Sequence, residues 1–195
     1  MPLKEELKKQ IEFLTDFISE ERLFKIDSTI DKRTKYLSVV LEDIYHPHNA
    51  SAVIRTCECF GVQDMYTIEN TKEYRVNKCV TRGAGKWITL NRYDSTKNNT
   101  VDCINSLKKN GYKIVATSLK KNITILPEEL PIDNKLALCF GTEELGLSDT
   151  LHEMSDYFVK IPMYGFTQSF NISVSAALIL QILTENYAKL MLIGN

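Results

Sequence analysis

The sequence is poor in the residues that usually announce chemistry. It holds three histidines, His46, His48 and His152, so general-base catalysis at neutral pH has few ordinary agents. Its five cysteines contain no C-x-x-C pair, and an odd number of thiols offers no disulfide framework, so buried or idle thiols are expected. No apolar run approaches the roughly 18–20 residues that span a bilayer, and the opening MPLKEELKKQIEFLTDF is too charged for a signal peptide. A cytoplasmic protein without membrane attachment is expected. No G-x-G-x-x-G follows a candidate strand, which argues against a nicotinamide enzyme. RGAGKW at 82–87 fails as a phosphate-binding P-loop, because Val80 and Trp87 stand where glycine and Ser or Thr are needed. A G-x-S-x-G nucleophile elbow is missing as well.

What the chain does have is bulk and segregated charge. With 44% hydrophobic and 25% charged residues, its 195 residues bury one substantial core, so one globular domain with a terminal appendage is expected. A formal net charge of −1 argues against indiscriminate coating of nucleic acid, since phosphate contacts need lysine and arginine. Between Thr71 and Lys97, however, stand Lys72, Arg75, Lys78, Arg82, Lys86, Arg92 and Lys97 against only Glu73 and Asp94. Between Phe140 and Asp156 there is no lysine or arginine, while Glu143, Glu144, Asp149, Glu153 and Asp156 are acidic. Two solvated surfaces of opposite sign fit that pattern, and so does a track for an anionic partner.

Leu3, Leu7, Ile11, Leu14, Phe17 or Ile18, and Leu23 recur at helical spacing behind Pro2, which predicts an opening amphipathic helix. Strand candidates follow: YLSVVLED (36–43), DMYTIE (64–69), WITLNRY (87–93), YKIVATSL (112–119), LALCFG (136–141) and YFVKIPM (157–163). They are interspersed with helix candidates ASAVIRTCECFG (50–61), TVDCINSLKKNG (100–111), SDTLHEMS (148–155) and NISVSAALILQILTENYAKLML (171–192). This predicts an α/β fold, a mainly parallel sheet with helices on both faces. Ligands of such sheets bind beyond the carboxyl ends of the strands. That singles out three loops: HPHNASAVIR (46–55), GTEELGLS (141–148) and IPMYGFTQSFN (161–171).

In the stretch HPHNASAVIRTCECF (46–60) His46, His48, Cys57 and Cys59 look like four zinc ligands. On a helix, though, Cys57 and Cys59 lie about 200° apart and cannot share one tetrahedral ion, so no metal is expected. Asn49 stands where an N-cap belongs, and Arg55 lies about 120° away around the axis. Taken alone, each loop has an ordinary structural account. Asn49 caps a helix and Arg55 is a surface arginine; Gly141 and Gly146 permit a tight turn before a Ser148 cap; Ser169 or Asn171 caps the last helix. Their joint occurrence in this order points further.

Together the loops resemble the three signature motifs of the SPOUT superfamily of RNA methyltransferases, in its tRNA/rRNA 2'-O-ribose branch. The motifs read HNASAVIRTCECFGV, LCFGTEELGLSD and IPMYGFTQSFNISVSAALIL, and VTRGAGKWITL and GYKIVATSL are similar to the family's connecting segments. The resemblance runs from Leu37 to the final helix. The N-terminal extension and LEDIYHPHN look most like the tRNA guanosine-18 2'-O-methyltransferases. It implies an N-terminal helical extension over 1–35 and a methyltransferase domain over 36–195, whose C-terminal third threads a deep trefoil knot, otherwise almost unknown in proteins. It also implies S-adenosylmethionine bound bent in the knot's loops, and a homodimer whose interface carries the active site. By match, the cofactor would meet main chain at Gly141, Ile161, Met163 and Phe170, with Thr117 after the preceding strand. Phe170 stands where the family usually has leucine.

Methyl transfer to ribose needs a 2'-hydroxyl aligned with the methyl carbon and relieved of its proton. The resemblance places Arg55 at that step. A guanidinium of pKa above about 12 is a poor base, so Arg55 is expected to clamp the target phosphate and steady the incipient alkoxide, the proton passing to that phosphate or to water. Asn49 would hold the loop, Glu143 would fix the assembly or pair with arginine, and Ser169 and Asn171 would line the donor pocket and contact substrate. The basic segment becomes an RNA track led by Arg82 and Lys86, joined by Arg22, Lys25, Arg33 and Lys35. The activity implied is 2'-O-methylation of tRNA, at guanosine 18 of the D-loop. Methylation of rRNA or of another tRNA position is the alternative within the same chemistry. A non-catalytic RNA-binding module of the same fold is the alternative in another class, and a small-metabolite enzyme would leave the basic segment unexplained.

Overall fold

The computed structural model describes residues 2–44, 46–71, 73–75, 77–118 and 124–193, without the side chains of 2, 78 and 190–193. They fall into two compact units, Met1–Arg33 and Thr34–Asn195. The first unit contains α1 (Pro2–Thr15) and α2 (Glu20–Ile30). The leucine spacing predicted one opening helix, and the structure has two. Ser19 adopts an extended conformation (φ −68°, ψ 152°), and its hydroxyl accepts the Arg22 N–H at 3.3 Å, which starts a new helix carrying Leu23.

In the second unit six strands form one parallel sheet: β1 (Leu37–Glu42), β2 (Asp64–Ile68), β3 (Thr89–Tyr93), β4 (Tyr112–Thr117), β5 (Lys135–Phe140) and β6 (Tyr157–Val159). Their order is β3-β2-β1-β5-β4-β6. Every residue of β1 is buried, which is why LSVVLE shows no polar alternation: a parallel strand is covered on both faces. Leu37, Val39 and Leu41 join Leu136, Leu138 and Phe140 of β5 in a core that includes residues of α3 (Pro47–Cys59) and α7 (Ile172–Ile193). On the opposite face Val40, Ile114, Ala116, Ala137 and Cys139 join Ile104 and Leu107 of α5 (Asn99–Lys109) and Leu151 of α6 (Asp149–Met154). The short α4 (Lys78–Thr81) and a 3-10 turn (Ala84–Lys86) lie in the basic segment.

The strand expected over 157–163 ends at Val159. Its partner β4 ends at Thr117, the residue paired with Val159, so the ladder with β4 stops there, and the Lys160 N–H bonds to the Ile125 carbonyl at 3.3 Å instead. The strand expected over 112–119 likewise stops at Thr117, and Leu119 lies outside the described residues. Between the central pair β1 and β5 the two halves of the chain's path meet, the place where sheets of this kind hold ligands at their carboxyl edge. No helix among the described residues is long and apolar enough to cross a membrane.

Candidate functional site

Beyond the carboxyl ends of β4, β5 and β6 lies a cavity of about 350 Å³. Thr117, Gly141, Ile161, Met163 and Phe170, the residues assigned to a cofactor by resemblance, all line it, as do Glu143 and Ser169. Thr117 Oγ1 donates to the Cys139 carbonyl at 2.9 Å and ties the end of β4 to β5. Gly141 owes its identity to a close approach. A Cβ there would collide with the Gly146 carbonyl group and the Leu147 nitrogen, because the loop doubles back. Thr142 and Gly146 exchange two backbone hydrogen bonds (3.1 and 2.9 Å), and Gly146 takes φ 73°. Phe140, Ile161, Met163 and Ile179 supply apolar wall, and Ser118, Glu144, His152, Gln168 and Ser169 supply polar groups.

At the cavity's edge the three singled-out loops meet. Asn49 Nδ2 donates to Glu143 Oε1 at 2.9 Å, and Asn171 Nδ2 donates both to Glu143 Oε1 and to Asn49 Oδ1 at 3.1 Å. Asn171 also caps α7, since its Oδ1 accepts the Ser173 N–H at 2.9 Å; the cap and the cluster are two ends of one side chain. Asn49 is not the N-cap expected of it. The helix starts at Pro47, with His46 as N-cap, because proline is suited to the first helical position. Asn49 therefore sits inside the first turn, and its amide reaches Glu143. Ser148 does cap α6, accepting the Leu151 N–H at 3.1 Å.

Arg55 is not in this cluster. α3 buries Ala50, Ser51, Val53, Ile54 and Cys57, whereas Arg55 is exposed and has no ion pair among the described residues. Six residues of helix put its Cα about 10 Å from that of Asn49. Cys57 is buried and Cys59 exposed, so they face opposite ways. Burial pushes the Cys57 thiol up to about 12, a poor ligand or nucleophile.

The structure sorts the basic segment. Arg75 pairs with Glu73 at 2.9 Å, and Arg92 pairs with Glu69 at 2.8 Å and Asp94 at 3.5 Å. Burial alone would raise the Glu69 carboxyl; hydrogen bonds from Arg92 and the Tyr74 N–H, with the Arg92 charge, bring it below its ordinary value. Arg82 and Lys86 are exposed and have no ion pair among the described residues. Arg82 takes a positive φ of 47°. Lys72 lies outside the described residues, and so does the side chain of Lys78. In the first unit Arg22 is exposed on α2 and Arg33 is half-buried.

Three polar residues near the cavity escaped the sequence reading. Glu42, 2% exposed, ends β1 and accepts from Ser148 N, Ser148 Oγ and Thr100 Oγ1 at 2.8, 2.8 and 2.7 Å. His152 and Ser118 are buried in the cavity wall, with Nε2 of the ring 2.9 Å from Ser118 Oγ and Nδ1 3.0 Å from the Ser148 carbonyl. That carbonyl only accepts, so Nδ1 carries the proton. The available signal was the glutamate closing an apolar run.

Residues 36–181 match the SpoU rRNA Methylase family. The tRNA (guanosine(18)-2'-O)-methyltransferase of Borreliella burgdorferi is 45% identical over 188 residues, 96% of this chain and 84% of that protein. The enzyme of the same description from Aquifex aeolicus is 34% identical over 164 residues, 84% of this chain and 75% of that protein. Among solved structures, the A. aeolicus TrmH/SpoU tRNA modifying enzyme superposes with a TM-score of 0.77 at 31% identity, covering 87% of this chain and 84% of that one. The SpoU methyltransferase AviRb of Streptomyces viridochromogenes, solved in complex with AdoMet, shares the fold with a TM-score of 0.68 at 20% identity, over 83% of this chain and 64% of that one.

Proposed function

The chain belongs to the SpoU rRNA Methylase family, and from that premise we propose that it is an S-adenosylmethionine-dependent tRNA methyltransferase, acting in the cytoplasm on the ribose 2'-hydroxyl of guanosine 18 in the D-loop. The observation that carries this reading is the meeting of Asn49, Glu143 and Asn171, from three distant loops, beside a cavity walled by Thr117, Gly141, Ile161, Met163 and Phe170.

The cavity suits S-adenosylmethionine. Its apolar wall matches a flat base, and its polar rim matches an amino acid tail. When bound, that cofactor supplies a methyl group already activated on a sulfonium. The chain's own part is then to position and to manage a proton. Asn49 and Asn171 hold the Glu143 carboxylate at the rim, Ser169 borders the donor, and Arg55 grips the phosphate beside the target ribose and steadies the oxygen as its proton leaves to that phosphate or to water. Arg55 stands about two turns from Asn49 on its own helix. A homodimer in which Arg55 of one copy faces the cavity of the other completes the site. The same reading threads the C-terminal third into a trefoil knot. Arg82 and Lys86 lead the RNA contacts, with Arg22 and Arg33 as further ones; such contacts position RNA and weaken with salt.

The test is incubation with methyl-labelled S-adenosylmethionine and unmodified tRNA, followed by location of the labelled nucleotide. Label at guanosine 18 is expected. Label elsewhere in tRNA, or in rRNA only, moves the chain to another target, and RNA binding with no incorporation makes it a non-catalytic module. Arg55→Ala is expected to leave a folded dimer that binds the donor and transfers nothing; near-normal turnover removes Arg55 from the mechanism.

A further inference from the structure

Glu42 is a carboxylate where a sheet tolerates one least, 2% exposed at the end of a strand covered on both faces. A buried carboxylate persists only where donors replace its water. Three do, and two of them belong to Ser148: its backbone N–H meets Oε2 at 2.8 Å and its hydroxyl meets Oε1 at 2.8 Å. Thr100 Oγ1 of α5 supplies the third at 2.7 Å.

Ser148 ends the loop 141–148 that walls the cavity. Its hydroxyl accepts from Leu151 N, and its carbonyl accepts from the His152 backbone N–H at 3.0 Å and from the ring Nδ1 at 3.0 Å. The far side of that ring meets Ser118 at 2.9 Å, and both His152 and Ser118 line the cavity. A continuous hydrogen-bonded chain therefore runs from Glu42 to the cavity wall. The loop it holds is the one whose turn lies so close to Gly141 that a methyl group does not fit.

We propose that Glu42 is a positioning residue of the methyl-donor site: through Ser148 it fixes the 141–148 loop from behind and so sets the wall against which the donor binds, without touching the donor. The proposal rests on reading the cavity as the methyl-donor site. Thr100 provides an internal control, because it bonds the same carboxylate from the side of α5 and not from the loop.

The experiment measures S-adenosylmethionine affinity by calorimetry and steady-state kinetics on the full-length protein, with thermal unfolding alongside. Ser148→Ala and Glu42→Met are expected to raise the donor Kd about tenfold while kcat at saturating donor stays within about twofold of the parent. Thr100→Val is expected to leave the donor Kd unchanged. Glu42→Gln is expected to restore it, since its carbonyl accepts the Ser148 N–H and its amide donates to the two hydroxyls. Should Glu42→Met fail to fold, Ser148→Ala against Thr100→Val makes the same comparison. Equal donor Kd values for Ser148→Ala and Thr100→Val overturn the proposal. If the parent protein binds no donor, the reading of the cavity falls first and this proposal with it; normal parent binding with unaltered variants sinks the proposal alone.

Discussion

Replacing Gly141 with alanine adds one methyl group where the Gly146 carbonyl carbon and oxygen and the Leu147 nitrogen already lie inside 3.0 Å of its position. Backbone cannot swing aside as a flexible side-chain tip can. Ordinary contact distance is regained only if the turn moves outward by roughly 1 Å. That movement breaks the two hydrogen bonds between Thr142 and Gly146, at 3.1 and 2.9 Å, worth about 1 kcal/mol each. Overpacking strain adds about 1–3 kcal/mol, so Gly141→Ala is expected to cost about 3–5 kcal/mol and to lower Tm by about 10 °C. The same displacement deforms the cavity wall. Thermal denaturation with and without S-adenosylmethionine reads both effects: the parent gains about 2.7 kcal/mol at donor one hundred times Kd, and the variant gains none. A Gly141→Ala protein that melts with the parent and responds equally to donor refutes the account of this loop.

Asn49→Ala removes two hydrogen bonds from an exposed cluster and is expected to cost about 1 kcal/mol of stability, with methyl transfer down about 100-fold. Asn171→Ala also loses the cap of α7, about 1 kcal/mol more; urea midpoints showing equal costs would remove that cap from the reasoning. Thiol labelling of the folded protein at mildly alkaline pH is expected to modify the exposed Cys59 and Cys79 at once. Buried Cys57, Cys103 and Cys139, whose thiols burial pushes up, react only on unfolding, and a third rapid thiol contradicts this. The folded Glu69 carboxyl lies below its ordinary value. The stability it contributes is present above the unfolded value of about 4.3 and is lost as pH falls through the lower folded one. The urea-midpoint gap between the parent and Glu69→Gln is therefore expected to close on acidification, and a gap independent of pH refutes the assignment.

Much of this molecule was legible before any coordinates because its signals are local. The apolar run at 37–41 announces a strand covered on both faces, the alternation of strands and helices announces a parallel sheet, and Ser148 announces the start of α6; each rests on residues within a turn or a strand of one another. The three loops were legible as a set, although every one of them alone also fitted an ordinary cap or turn. Other features had no local mark. Asn49 reaches Glu143 across 94 residues and Asn171 across 122, and Glu42 reaches Ser148 across 106. Nor did local pattern say that Arg92 is neutralised while Arg82 and Lys86 are not, since Arg92 on β3 finds Glu69 just past the end of the neighbouring β2. Periodicity and capping act over a few residues and so specify elements one at a time. Contacts between distant residues depend on the order in which strands lie side by side, a property of the assembled sheet that no short stretch of chain encodes.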